Sequence, residues 1–161
     1  MKAFVSLAAV FLFGAVLLPA SCQAEEKPIQ ISLLHPVQIF DAATSISGIR
    51  LNLVYGVNQN LTGIDCGFVN KLRGNMSGYQ SGFVNLVDGS FEGLQEGTVN
   101  VVGGRFVGLQ SGFYNSAGDF NGIQFGIWNQ VETLHGLQIG LLNFNKSGEP
   151  FGFLPIVNFS F

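Results

Sequence analysis

The chain has 161 residues, a formal net charge of −3, 11% charged and 47% hydrophobic residues, with 22 glycines and 16 phenylalanines. That is length for one domain with a sizeable core. Too apolar for a disordered chain, it also lacks the Lys/Arg cluster of a nucleic-acid surface.

The first two dozen residues read as an export signal. Lys2 supplies the positive start, Ala3 to Leu18 an apolar run, and Pro19 a break. Cys22-Gln23-Ala24 then places small residues at −3 and −1 of a cut after Ala24, making residues 1–24 the signal and 25–161 the mature domain. The run is short for a membrane anchor. Lipidation of Cys22 is the alternative, against which Pro19 counts. After the cut only Cys66 remains, so no intrachain disulfide can form, and Cys66 is expected as a buried small hydrophobe.

Past a polar lead-in, Ile29, Ile31, Leu33, Val37 and Ile39 alternate with polar residues, as in a strand. Pro36 interrupts it, which predicts an edge or a bulge. Residues 41–47 read as a loop.

From residue 46 to 143 the chain repeats itself, and such repetition decides architecture before anything else does. The unit is clearest in Phe106 to Asn115, FVGLQSGFYN. Glycine returns at Gly48, Gly63, Gly78, Gly93, Gly108, Gly122 and Gly136, in four steps of fifteen residues and two of fourteen. With each of these glycines as position zero, +2 holds Arg50, Asp65, Gln80, Gln95, Gln110, Gln124 and Gln138. Position +7 holds Tyr55, then Asn70, Asn85, Asn100, Asn115, Asn129 and Asn143. A second glycine occupies +4 from Gly67 onward, and a large apolar residue occupies −2. Two glycines per unit exclude helix, since each costs about 1 kcal/mol in a helix interior. A final stretch, residues 151–161, closes the protein, and Ile156-Val157-Asn158 echoes the Phe-Val-Asn of the repeats.

The fold class is therefore all-β, and two architectures satisfy it. In the first, an antiparallel up-and-down barrel of about 8–9 strands, each unit is one strand of membrane-spanning length. Odd positions, including the +7 asparagines, would face lipid. Even positions would face inward, where the paired glycines let a small barrel curve and the glutamines meet Arg50 and Asp65. Phe91, Phe106, Phe120, Tyr114 and Trp128 would crowd the two ends, leaving no open pore. The face pattern is nearly palindromic about the glutamine, which suits antiparallel neighbours. In the second, a parallel β-solenoid with fifteen-residue coils, the glutamines and asparagines stack as ladders. Uniform repeats favour it; the fourteen-residue steps count against it, because a stacked coil must absorb the loss. The barrel is the first expectation.

Chemistry is harder to find. His35 and His135 stand apart, and no spaced His, Cys or carboxylate cluster marks a metal or catalytic centre. Asp65, Asp88, Glu92, Glu96, Asp119 and Glu132 are scattered and read as solvated surface. No phosphate-loop motif occurs. Neither enzyme activity nor a cofactor or metal is expected. The Asn and Gln columns read first as groups that satisfy the backbone, and second as a ligand-binding ladder.

The Gly-Leu-Gln-x-Gly-x-x-Asn unit resembles a family of bacterial surface-repeat proteins known from leptospires and other Gram-negative lineages. The resemblance covers Gly48 to Asn143 and extends to His35-Pro36-Val37-Gln38 and Pro155 to Phe161. It implies export and exposure at the cell envelope and carries no catalytic residue; the barrel reading adds the outer membrane or cell surface as the location and membrane lipid as a partner. The first unit departs from it, with Arg50, Asn52 and Tyr55 at signature positions, as a terminal cap does. A periplasmic or secreted solenoid, binding a partner through its Asn and Gln ladders, is the alternative function.

Overall fold

The computed structural model describes residues 26–161, so the export signal of residues 1–24 lies outside the described residues. Those residues form one sheet in the order β2-β1-β3-β4-β5-β6-β7-β8. The strands are β1 (Lys27–Leu34), β2 (Val37–Gln38), β3 (Ile46–Asn58), β4 (Leu61–Leu72), β5 (Met76–Val87), β6 (Phe91–Val102), β7 (Phe106–Asn145) and β8 (Phe153–Ser160). From β1 through β3, β4, β5 and β6 to β7 every successive pairing is parallel. Each repeat unit stacks on the one before it. The protein is a repeat-built β-solenoid, which corrects the expectation of an antiparallel barrel.

The amides explain why parallel stacking wins. Pairing antiparallel about the +2 glutamine brings each +7 asparagine opposite position −3, a turn site held by Asn60, Asn75, Ser90 or Arg105. Parallel pairing sets Asn70 on Asn85 and Gln80 on Gln95, with no slip between Leu61↔Met76 and Leu72↔Val87. From Gln80 and Asn70 onward, each +2 glutamine then meets a glutamine and each +7 asparagine an asparagine.

Strict alternation fails at one point in each coil. Positions −2 and +2 are buried, as expected, but so are +7 and +9. Between them, +5 and +6 both face outward, as Phe68 and Val69 do. The chain turns a corner there and reverses the sense of alternation. The +7 asparagines are thus interior, not outward-facing, while Tyr114 and Trp128 at +6 lie outside. Phe91, Phe106 and Phe120 stack in the core at centroid spacings of 5.0 and 5.1 Å. Together with Leu72, Val87 and Val102 at +9, the −2 column forms the apolar half of the interior.

The repeat glycine is required by close approach between coils. Gly78 and Gly93 have φ of 128° and 130°, and a methyl group at Gly93 would overlap the Gly78 carbonyl oxygen. The fourteen-residue steps are absorbed in the turns. Three residues, Gly103 to Arg105, link +9 to the next −2 in a long step; two, Gly118 and Asp119, do so in a short one. The shortened turns run on as continuous strand, which is why β7 spans three units.

Both ends are capped. At one, β1 folds back through a turn at Pro36 into β2, an edge arrangement as expected. At the other, residues 146–152 reverse the chain and β8 pairs antiparallel with the last coil, Gln138 facing Asn158. Pro28 in β1, and Pro155 with the left-handed Ile156 (φ 70°) in β8, interrupt the outer edges. An interrupted edge resists pairing with another chain.

Candidate functional site

Two polar ladders fill the other half of the interior, and all of their amides are 0% exposed. In the +2 ladder each glutamine donates from Nε2 to the Oε1 of the glutamine one coil earlier. Gln138 donates to Gln124 at 2.9 Å, Gln124 to Gln110 at 2.7 Å, Gln110 to Gln95 at 2.8 Å and Gln95 to Gln80 at 2.7 Å. Gln80 donates to the Asp65 carboxylate at 2.7 Å. An ionised carboxylate only accepts, so Asp65 fixes the direction of the whole row.

Asp65 in turn accepts both prongs of Arg50, from Nε at 2.8 Å and from Nη2 at 2.6 Å. Arg50 also donates from Nη1 to the Lys71 carbonyl at 3.0 Å. Both side chains are wholly buried. Asp65 is thus the exception to the reading of the acids as solvated surface; Asp88, Glu92, Glu96, Asp119 and Glu132 are exposed. Of the expected partnerships, glutamine with glutamine and Gln80 with Asp65 are present within a solenoid core, whereas Arg50 meets the row only through Asp65.

In the +7 ladder the donors point the opposite way, from Asn70 to Asn85 to Asn100 to Asn115 to Asn129 to Asn143, at 2.8 to 2.9 Å. From Asn70 to Asn129, each amide also reaches the +3 carbonyl of the next coil. Asn85 bonds the Glu96 oxygen at 2.7 Å, and Asn115 the Phe125 oxygen at 2.7 Å. Those +3 carbonyls set the direction of this ladder.

The first coil solves the same problem with the residues exchanged. Asn52 stands in the +4 glycine column and sends its amide to Asn70 at 2.7 Å, while Gly56, paired with Asn70, leaves the space it fills. An extra residue between Asn52 and Tyr55 shifts Tyr55 out of the +7 column. At the far end, Asn158 donates to Gln138 at 3.3 Å and the Leu154 carbonyl accepts from Asn143 at 3.1 Å. One cap strand therefore closes both ladders. The cap residue Gln30 and Asn58 at the end of β3 carry no repeat signature, whereas the Ile-Val-Asn echo points at Asn158 in the other cap.

The amides are spent on one another and on the backbone, so the ladders present no group to a ligand. What the solenoid offers is its outside. Columns +1, +3, +5 and +6 form one flank, on which Glu96 is the only charged side chain of the repeats. The exposed apolar residues there include Ile64, Phe68, Phe83, Phe113, Phe125 and Leu141. Apart from the buried Arg50 and Asp65, the other repeat charges sit around the turns, where Lys71 pairs with Asp88 and Lys146 with Glu132 at 2.6 Å. A shallow groove over the turns is lined by Asn60, Asn75, Ser90, Thr62, Ser77 and Glu92.

Cys66 lies at +3 on the outer flank, half-buried rather than in the core. Burial, and then the nearby Asp65 charge, push its thiol pKa up. Tyr79 donates to Glu96 at 2.8 Å, and that hydrogen bond raises the phenol pKa. His135 is exposed and His35 partly so. Among the described residues no group of three His, Cys, Asp or Glu is placed to hold a metal ion, and no helix is long and apolar enough to cross a membrane. No family model, curated protein or solved structure matches the chain.

Proposed function

We propose that this chain is an exported protein of the cell envelope, a non-catalytic β-solenoid with a structural or surface-interaction role played by its outer flank. One observation carries the reading. The polar interior is consumed by its own ladders, while one flank is kept almost free of charge and exposes large apolar side chains. Contiguous exposed apolar surface marks an interaction site. Support also comes from the signal-like pattern of residues 1–24 and from the resemblance of the repeat to surface-repeat proteins. The test is fractionation of the producing cell, with N-terminal sequencing of the recovered protein. Expected is an envelope or surface fraction in a chain starting near Glu25. Recovery in the cytosol with residues 1–24 attached overturns the reading.

A further inference from the structure

The two end caps extend the apolar flank. In β1, Ile29 and Ile31 pair with Ile49 and Leu51 and so head the +1 and +3 columns. In β8, Phe159 and Val157 pair with Leu137 and Ile139 and end them. Ile29, Ile31, Val157 and Phe159 are all exposed. The strip runs over nine strands, or about 38 Å, and from +1 to +5 is about 13 Å wide, with Ser81, Glu96, Thr98 and Ser111 interrupting its apolar side chains at mid-length. That is ~500 Å² per molecule, at the upper end of what a soluble surface leaves uncovered.

We infer that this strip docks the solenoid, side-on, onto a lipid surface of neutral headgroups. The inference rests on the envelope reading and names the partner. Three observations select the occupant. Glu96 lies in β6, the fifth of the nine strands, so a two-fold face-to-face dimer centred on the strip would set Glu96 against its own copy. Against a membrane of neutral headgroups the same carboxylate meets no second copy of its charge and keeps its bond from the Tyr79 hydroxyl. Two such strips would also bury only about 1,000 Å², the low end for a stable complex. Finally, Tyr114 and Trp128 border the strip at +6, in mutual contact, and such amphipathic rings favour the bilayer interface. A net charge of −3 disfavours anionic lipid. With its exposed repeat charges other than Glu96 around the turns, the molecule is the sheet counterpart of an amphipathic interfacial helix.

The experiment is flotation of the full purified chain with phosphatidylcholine vesicles, reading the emission of Trp128, the single tryptophan, and its quenching by spin-labelled lipid. Binding with a blue shift and quenching is expected. The double variant Ile64→Glu/Ile123→Glu should weaken binding at least tenfold. Ser116→Glu/Gln130→Glu, adding the same charge at +8, should leave it unchanged, and Glu96→Gln should tighten it severalfold. Circular dichroism checks that each variant keeps its sheet. Absence of binding, equal losses in both double variants, or a dimer abolished by the first pair without vesicle binding overturns the proposal. Envelope recovery without vesicle binding would sink the docking and leave the envelope reading standing; cytosolic recovery would sink the envelope reading.

Discussion

At the scale of single residues, the Arg50–Asp65 pair sets the terms for everything stacked on it. Removing one partner of a buried ion pair leaves an uncompensated charge and costs roughly 3–5 kcal/mol. Asp65→Asn should show that loss in denaturant unfolding. The double change Arg50→Gln/Asp65→Gln continues the glutamine row and should recover most of it. The repeat glycines are equally intolerant. Gly93→Ala combines left-handed strain with overlap on the Gly78 carbonyl, each costing about 1–3 kcal/mol, and should fold poorly or melt far lower. Cys66 gives a pH test. Its raised thiol pKa means less thiolate at any pH near 8 than an ordinary cysteine has, so alkylation should lag a model thiol there and catch up only at higher pH.

At the scale of the element, the coil is a set of fixed columns joined by an adjustable turn. Deleting Gly104 from its three-residue turn should be tolerated, because the Gly118-Asp119 turn already manages with two. Deleting Leu109 moves every later residue of its coil by one place, turning Asn115 outward, and should abolish cooperative unfolding. Thermal melts of the two deletions separate these outcomes. The same distinction explains what could be read from the sequence. The all-β class, the ten-residue signature and the partners of the glutamines were legible, because each is a property of one unit. Strand direction was not, since a face that reads bulky-Gly-Gln-Gly-bulky looks alike from either end. Nor was the corner at +5 and +6: in the fifth unit Phe113 and Tyr114 continue an apolar pattern, and nothing local says that both face out. The interior place of Asn115 depended on that corner and was misread with it.

At the scale of the molecule, the caps matter more than their length suggests. Without residues 151–161 the last coil would expose the acceptor end of the glutamine row at Gln138, the donor end of the asparagine row at Asn143, and an unpaired sheet edge. An unguarded edge is a template for another chain. The truncated protein should form thioflavin-positive fibres or precipitate at concentrations where the whole chain stays dispersed. Light scattering on the two forms decides it. A truncated chain that stays monomeric would show that β8 guards nothing.

The opposed directions of the two ladders have a consequence for growth. Any fifteen-residue unit with Gln at +2 and Asn at +7 receives from one neighbour what it hands to the other, in both rows at once. A copy of residues 91–105 spliced after itself would find every rung already matched, with neither cap altered. The protein is in this sense a ruler with detachable ends, about 4.8 Å longer for each copy inserted. Its reach can change by duplication alone, without a new core having to be solved.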